Sequence, residues 1–155
     1  VGHILCIAFF FFFFFFWEEF SVAINFDNLT YAEAAIYDGI EMGIDTCHGD
    51  SKTAGWYTDP ATGAALIRNV PEMLCLIHSE ISEAMEGYRK GLQDDKIHDR
   101  PMVEVELADA VIRILDLAGY LNLDLAGAVI EKLEYNRNRA DHKLENRAKA
   151  GGKKF

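Results

Sequence analysis

Little in this chain marks a β-protein, a disulfide-framed domain or a nucleic-acid binder. Proline and cysteine each occur only three times in 155 residues. Cys6, Cys47 and Cys75 lie far apart with no Cys-x-x-Cys spacing, so no disulfide framework is expected and the compartment reads as reducing and cytoplasmic. Cys47-His48 resembles half a metal site, yet no second Cys/His pair follows at zinc-like spacing. No stretch alternates apolar and polar residues with the period of a strand. Basic charge is also short, 15 Lys+Arg against 25 Asp+Glu, for a formal charge of −10. Such a protein repels a phosphate backbone, which excludes a nucleic-acid partner, and an anionic substrate would need cations to bridge it to the protein.

What is abundant at the N-terminus is phenylalanine. Ile4 to Trp17 is an unbroken apolar run of 14 residues with eight consecutive phenylalanines, Phe9 to Phe16. The run falls short of the ~20 residues that span a bilayer, so a membrane partner is not expected. No Lys or Arg precedes it and no small-residue cleavage site follows before Trp17-Glu18-Glu19, which argues against a signal peptide. A homopolymer specifies no packing register. Residues 1–20 therefore read as a non-native leader, and residues 21–155 as a single domain long enough to bury a core.

From Asn28 the pattern is helical. A first helix is expected from Asn28 to Met42, capped at Asn28 or Thr30, with Ala32, Ala35, Ile36 and Ile40 at helical spacing. Gly43 to Arg68, with its glycines, Pro60 and the Trp56-Tyr57 pair, reads as a long loop of the kind that often serves function. Asn69 caps a second helix, with Pro71 in its first turn and Glu72 completing a capping box, that runs to about Gly87. Asp99 and Pro101 begin a third, reaching about Leu121, and Asp124 caps a fourth that runs to about His142. The expected fold is all-α, a bundle of four to five helices.

At ~100° per residue, each acid can be placed against the apolar stripe of its own helix. Met73, Leu76, Ile77, Ile81 and Ala84 define the inward face of the second helix, and Glu80 falls among them. Glu83 sits at the edge of that face, whereas Glu86 falls on the Ser79/Ser82 side and reads as solvated. The third helix is apolar almost all round, with a narrow polar stripe of Glu106, Asp109, Arg113 and Asp116. A helix apolar on several sides is covered on several sides, so subunit association is expected. On the fourth helix Lys132, Asn136 and Arg139 share the face of Leu125, Val129 and Ala140, which points basic and amide donors at the same interior.

Inward acids need partners, because a lone buried charge neutralises instead. Two explanations stand. Glu80, Glu83, Glu106 and Asp109 either pair with Lys132, Arg113 and Arg139 as interhelical salt bridges, or they form a carboxylate cage for a hard cation, with Lys132, Asn136 and Arg139 left to hold phosphate oxygens. Acids at i, i+3 on facing helices are how bundle metal sites are built. With no His beside them, they favour Mg²⁺ or Mn²⁺ over zinc or a di-iron centre. His78 projects to a different face.

Glu80-x-x-Glu83, followed after 22 residues by Glu106-x-x-Asp109, resembles the Glu-x-x-Glu and Glu-x-x-Asp signature of the MazG-like all-α nucleoside triphosphate pyrophosphatases. The segment containing Lys132, Asn136 and Arg139 resembles that family's Lys-x-x-x-Asn-x-x-Arg element. The likeness covers roughly Val70 to His142. It implies a homodimer or homotetramer that uses Mg²⁺ to hydrolyse (deoxy)nucleoside triphosphates to monophosphate and pyrophosphate. By the same resemblance Glu80, Glu83, Glu106 and Asp109 are metal ligands, either Glu80 or Glu83 is a general base, and Lys132, Asn136 and Arg139 contact the substrate. Trp56 resembles an aromatic that stacks on the base in some relatives. Arg113 stands where some pyrimidine-selective relatives carry an aromatic, so their base preference does not transfer. The alternatives are a sister enzyme acting on phosphoribosyl-ATP and a non-enzymatic interaction module whose charges are ion pairs.

Overall fold

A computed structural model describes residues 29–153, which are all-helical. The Phe-rich leader, Cys6 and the candidate cap Asn28 lie outside the described residues. Helix α1 spans Tyr31–Thr53, α2 Val70–Lys90, α3 Met102–Leu121 and α4 Leu125–Asn138. A 3₁₀ turn, Ala140–His142, and a short α5, Leu144–Arg147, complete the chain. No helix among the described residues is long and apolar enough to cross a membrane.

Local chemistry accounts for most of the boundaries. Thr30 caps α1 in a reciprocal capping box: its hydroxyl accepts from the Glu33 N–H at 3.3 Å, and Glu33 Oε2 accepts from the Thr30 N–H at 2.9 Å. Asn69 caps α2 by accepting from the Glu72 N–H, and Gly91 ends that helix in the left-handed region at φ 65°. Asp124 caps α4 through the Gly127 N–H at 2.8 Å. Pro101 stands at the N-cap of α3 with no side-chain cap bond, so Asp99 lies outside the helix it was expected to begin.

Two boundaries differ from expectation. Helix α1 does not stop at Met42 but continues through Gly43 and Gly49 to Thr53, which shortens the expected loop to the segment after Thr53. The helix tolerates Gly43 because α1 meets α3 there: a Cβ on Gly43 would lie 3.0 Å from Leu115 Cδ1. Close approach outweighs the roughly 1 kcal/mol that glycine costs inside a helix. At its other end α4 stops at Asn138, four residues before His142.

Helix α3 is central. It packs along α2 on one side and α1 on the other, while α4 packs chiefly on α1. The core is small, built from Met73 and Ala84 of α2, Ala110, Leu117 and Ala118 of α3, and Ala126 and Ile130 of α4. Leu107, Val111 and Ile114 of α3 stay exposed, as do Leu74, Met85 and Ile81 of α2, the last against its expected inward position. One chain therefore leaves much of the α2–α3 apolar surface uncovered.

Candidate functional site

The α2–α3 contact brings acids from both helices together. Glu80 and Glu106 are buried and Glu83 is exposed at the rim, and one carboxylate oxygen from each lies within 4.8 Å of the others. Glu80 is held inward by its place one turn from Leu76, Ile77 and Ala84, and Glu106 by its place four residues before the buried Ala110.

Crowding like charges in a poorly solvated spot favours protonation. Glu106 shows this directly: its pKa is pushed up to about 7, first by burial, then by the charge of Glu83, by a hydrogen bond shared with Glu80, and by the charges of Glu80 and Asp109. Three convergent carboxylates with no His or Cys among them form a hard-oxygen donor set that could hold a divalent cation of the Mg²⁺ or Mn²⁺ type. Asp109 contributes to the local field but stands outside the tight group, exposed on the next turn of α3.

Of the ion pairs expected between these acids and basic residues, one forms among the described residues. Arg113 Nε lies 2.7 Å from Glu80 Oε1. Lys132 places its ammonium 4.6 Å from the Tyr135 ring centroid, and Arg139 binds Asp141 through Nε at 2.9 Å and Nη2 at 2.6 Å. Asn136 Oδ1 is buried without a hydrogen-bond partner. Within one chain, then, the Lys132, Asn136 and Arg139 element belongs neither to the acid group nor to the cleft beside it, because α4 docks chiefly on α1. Glu86 is solvated as expected, paired on the surface with Arg89 and Lys90.

The cleft, of about 470 Å³, opens next to the acids. Asp109, Ile112, Arg113 and Asp116 of α3 line one side, Met73 and Leu76 of α2 another, and Ser51 of α1 with Trp56 and Arg68 of the following loop the third. Trp56 is 64% exposed, as a stacking aromatic must be, and its carbonyl accepts from Arg68 Nη1 at 2.6 Å.

Periodicity placed Asp116 on the polar stripe of α3 but gave it no partners. In the structure Asp116 Oδ1 accepts from the Tyr57 hydroxyl at 2.8 Å and lies 2.9 Å from His48 Nδ1. Burial and the bond to Asp116 raise the Tyr57 pKa and keep the phenol protonated. Gly119 lets His48 reach this position, since a Cβ there would lie 2.6 Å from His48 Cβ. The spacing of Asp109 to Asp116, two helical turns on one face, was the only signal available beforehand.

Glu33 is a buried acid that the sequence reading did not single out. Besides capping α1 it pairs with Arg137 of α4 at 2.5 Å, and bonds to Thr30 first and Arg137 second hold its pKa down at about 2. This is a structural tie between α1 and α4.

No family model, curated protein or solved structure matches this chain.

Proposed function

We propose that this protein hydrolyses (deoxy)nucleoside triphosphates to monophosphate and pyrophosphate with Mg²⁺, Mn²⁺ being the substitute metal. The observation that carries this reading is the convergence of Glu80, Glu83 and Glu106, joined through the Glu80–Arg113 pair to a cleft walled by Trp56, Arg68 and Arg113. Like charges are not brought together in a half-buried place for stability, and the high Glu106 pKa marks the charge that a cation would offset.

Glu80, Glu83 and Glu106 would hold the cation, with Asp109 at the edge of the group. When bound, the metal offsets the charge on the triphosphate and on the leaving pyrophosphate. In the reaction a water oxygen bonds to the α-phosphorus, the bond from that phosphorus to the α–β bridging oxygen breaks, and the water's proton passes to a base. Glu83, exposed at the rim, and Glu80 are the two candidates for that base. Trp56 would stack on the nucleobase, and Arg113 would meet the developing negative charge. The resemblance implies phosphate binding by Lys132, Asn136 and Arg139, but in one chain α4 packs chiefly on α1 and keeps them apart from this cleft, so they carry no step here.

The uncovered apolar surface of α2 and α3 supports assembly as a homodimer or homotetramer, to be measured by light scattering during gel filtration. A monomer at micromolar concentration would count against it.

Pyrophosphate release from a panel of ribo-, deoxy- and modified triphosphates and phosphoribosyl-ATP, with and without Mg²⁺, tests the activity. Release confined to phosphoribosyl-ATP moves the assignment to the sister activity. No release from any member, with either metal, overturns it. The Glu80–Arg113 pair favours one second reading, an interaction module whose acids are ion-paired. That reading requires the melting temperature to be indifferent to Mg²⁺.

A further inference from the structure

The cleft wall around Asp116 is built differently from the acid group around Glu80. Asp116 lines the cleft with a side chain 16% exposed, and both recorded bonds to the carboxylate fall on Oδ1. A carboxylate only accepts, so His48 Nδ1 carries the proton it shares with Asp116, as the Tyr57 hydroxyl does. Donors from two different segments, α1 and the loop after it, thus fix the carboxylate and saturate one oxygen. The other, Oδ2, has no partner among the described residues.

The surroundings are braced. Tyr57 stacks on Tyr120 with ring centroids 5.2 Å apart, and the edge of His48 meets Tyr57 at 4.9 Å. The Arg68 guanidinium lies 5.7 Å from the Tyr57 centroid, and the Arg68 N–H donates to the Tyr120 hydroxyl at 2.9 Å. Since Arg68 also holds the Trp56 carbonyl, the exposed indole, the cation and the free acceptor belong to one wall.

This arrangement selects a ligand chemistry. An exposed indole in a cleft also lined by apolar Met73, Leu76 and Ile112 accepts a flat ring. A fixed carboxylate oxygen facing the position where bases carry either an amino group or a carbonyl accepts from the amino N–H, and loses a water bond without return if it meets the carbonyl. The guanidinium of Arg68 supplies donors for neighbouring ring nitrogens or carbonyls. The span also fits: Asp109 to Asp116 rises roughly 10 Å along α3, on the order of the reach of a nucleotide from phosphate to base edge.

We propose that Asp116 is a specificity-determining residue that selects nucleotides carrying an exocyclic amino group where their counterparts carry a carbonyl, namely cytosine over uracil and thymine, and adenine over hypoxanthine. This rests on the pyrophosphohydrolase reading and adds the substrate class to it.

The test compares pyrophosphate release from CTP against UTP and from ATP against ITP, for wild type and Asp116→Asn, with CMP and UMP binding measured calorimetrically in metal-free buffer. Wild type is expected to prefer the amino member of each pair at least tenfold in kcat/KM. Asp116→Asn retains an oxygen for Tyr57 and His48 but offers an amide N–H to the cleft, and its preference should fall to twofold or less, or invert. A purely structural Asp116 would lower the melting temperature and leave both ratios unchanged, which overturns the proposal. Equal use of CTP and UTP and of ATP and ITP by wild type also overturns it while leaving the hydrolase reading intact. If no triphosphate is cleaved, the hydrolase reading fails separately and binding decides: CMP bound at least tenfold more tightly than UMP upholds the selection, and equal binding rejects it.

Discussion

Arg113 and Glu80 connect the acid group to the cleft: the guanidinium Nε lies 2.7 Å from a carboxylate that is itself within 4.8 Å of Glu83 and Glu106, and the same arginine lines the cleft. The pair gives Glu80 a counter-ion in the absence of metal. It also makes Arg113 a competitor for the position a cation would take. Arg113→Met should lower the metal-free stability by about 1–3 kcal/mol, because Glu80 is left buried beside two acids. It should also tighten Mg²⁺ binding and enlarge the rise in melting temperature on adding MgCl₂. Melting curves with EDTA and with Mg²⁺ check both, and an unchanged Mg²⁺ response would remove the competition.

Loss of a ligand carboxylate should be felt in turnover. Glu80→Gln and Asp109→Asn are each expected to reduce kcat/KM for the best triphosphate at least about a hundredfold, the scale of removing one electrostatic contact to a transition state. Glu86→Gln, whose carboxylate is spent on Arg89 and Lys90 at the surface, should stay within about threefold of wild type. Wild-type-like turnover by either ligand variant would sink the metal assignment.

The Glu106 carboxyl has a raised pKa, from an ordinary 4.5 to about 7, so its ionised form is disfavoured by the fold. The folded state binds that proton more tightly than the unfolded state, and metal-free stability therefore falls as pH rises from about 4.5 to about 7. Glu106→Gln cannot ionise. In EDTA its melting temperature should exceed that of wild type at pH 8, with the gap closing by pH 4.5. Mg²⁺ affinity in wild type should weaken below about pH 7, where a proton must be displaced. A difference between the two proteins that is flat across this window would contradict the crowding of the site.

Glu33 titrates in the opposite sense. Its pKa is depressed to about 2, so its contribution to stability is complete above the ordinary 4.5 and is lost as pH falls towards 2. Glu33→Gln should melt below wild type at neutral pH, and the two curves should converge in that acid window. A constant gap down to pH 2 would show that the Arg137 pair is not the source.

The helical character, the starts of α2 and α4, and the choice of Glu80 and Glu83 over Glu86 were all legible before any coordinates. Each depends on short-range effects: an Asn or Asp side chain reaching an N–H three residues ahead, or an acid falling among apolar neighbours one turn away. The end of α1 was not legible, because Gly43 and Gly49 read locally as breakers. Gly43 is helical because α3 packs against it, through Leu115. The surroundings of the α4 donors were not legible for a related reason. Lys132, Asn136 and Arg139 do share a face, but which neighbour that face meets is no property of α4 alone, and in one chain α4 packs chiefly on α1.

Periodicity, then, determined the all-α class and the inward position of Glu80, because a turn of 3.6 residues fixes directions within a helix. Tertiary packing decided everything between helices. The Arg113–Glu80 pair, the Glu33–Arg137 tie and the bonding of Asp116 by His48 and Tyr57 all join residues at least 33 positions apart, distances over which local sequence fixes no direction, and the last depends on Gly119 leaving room for His48.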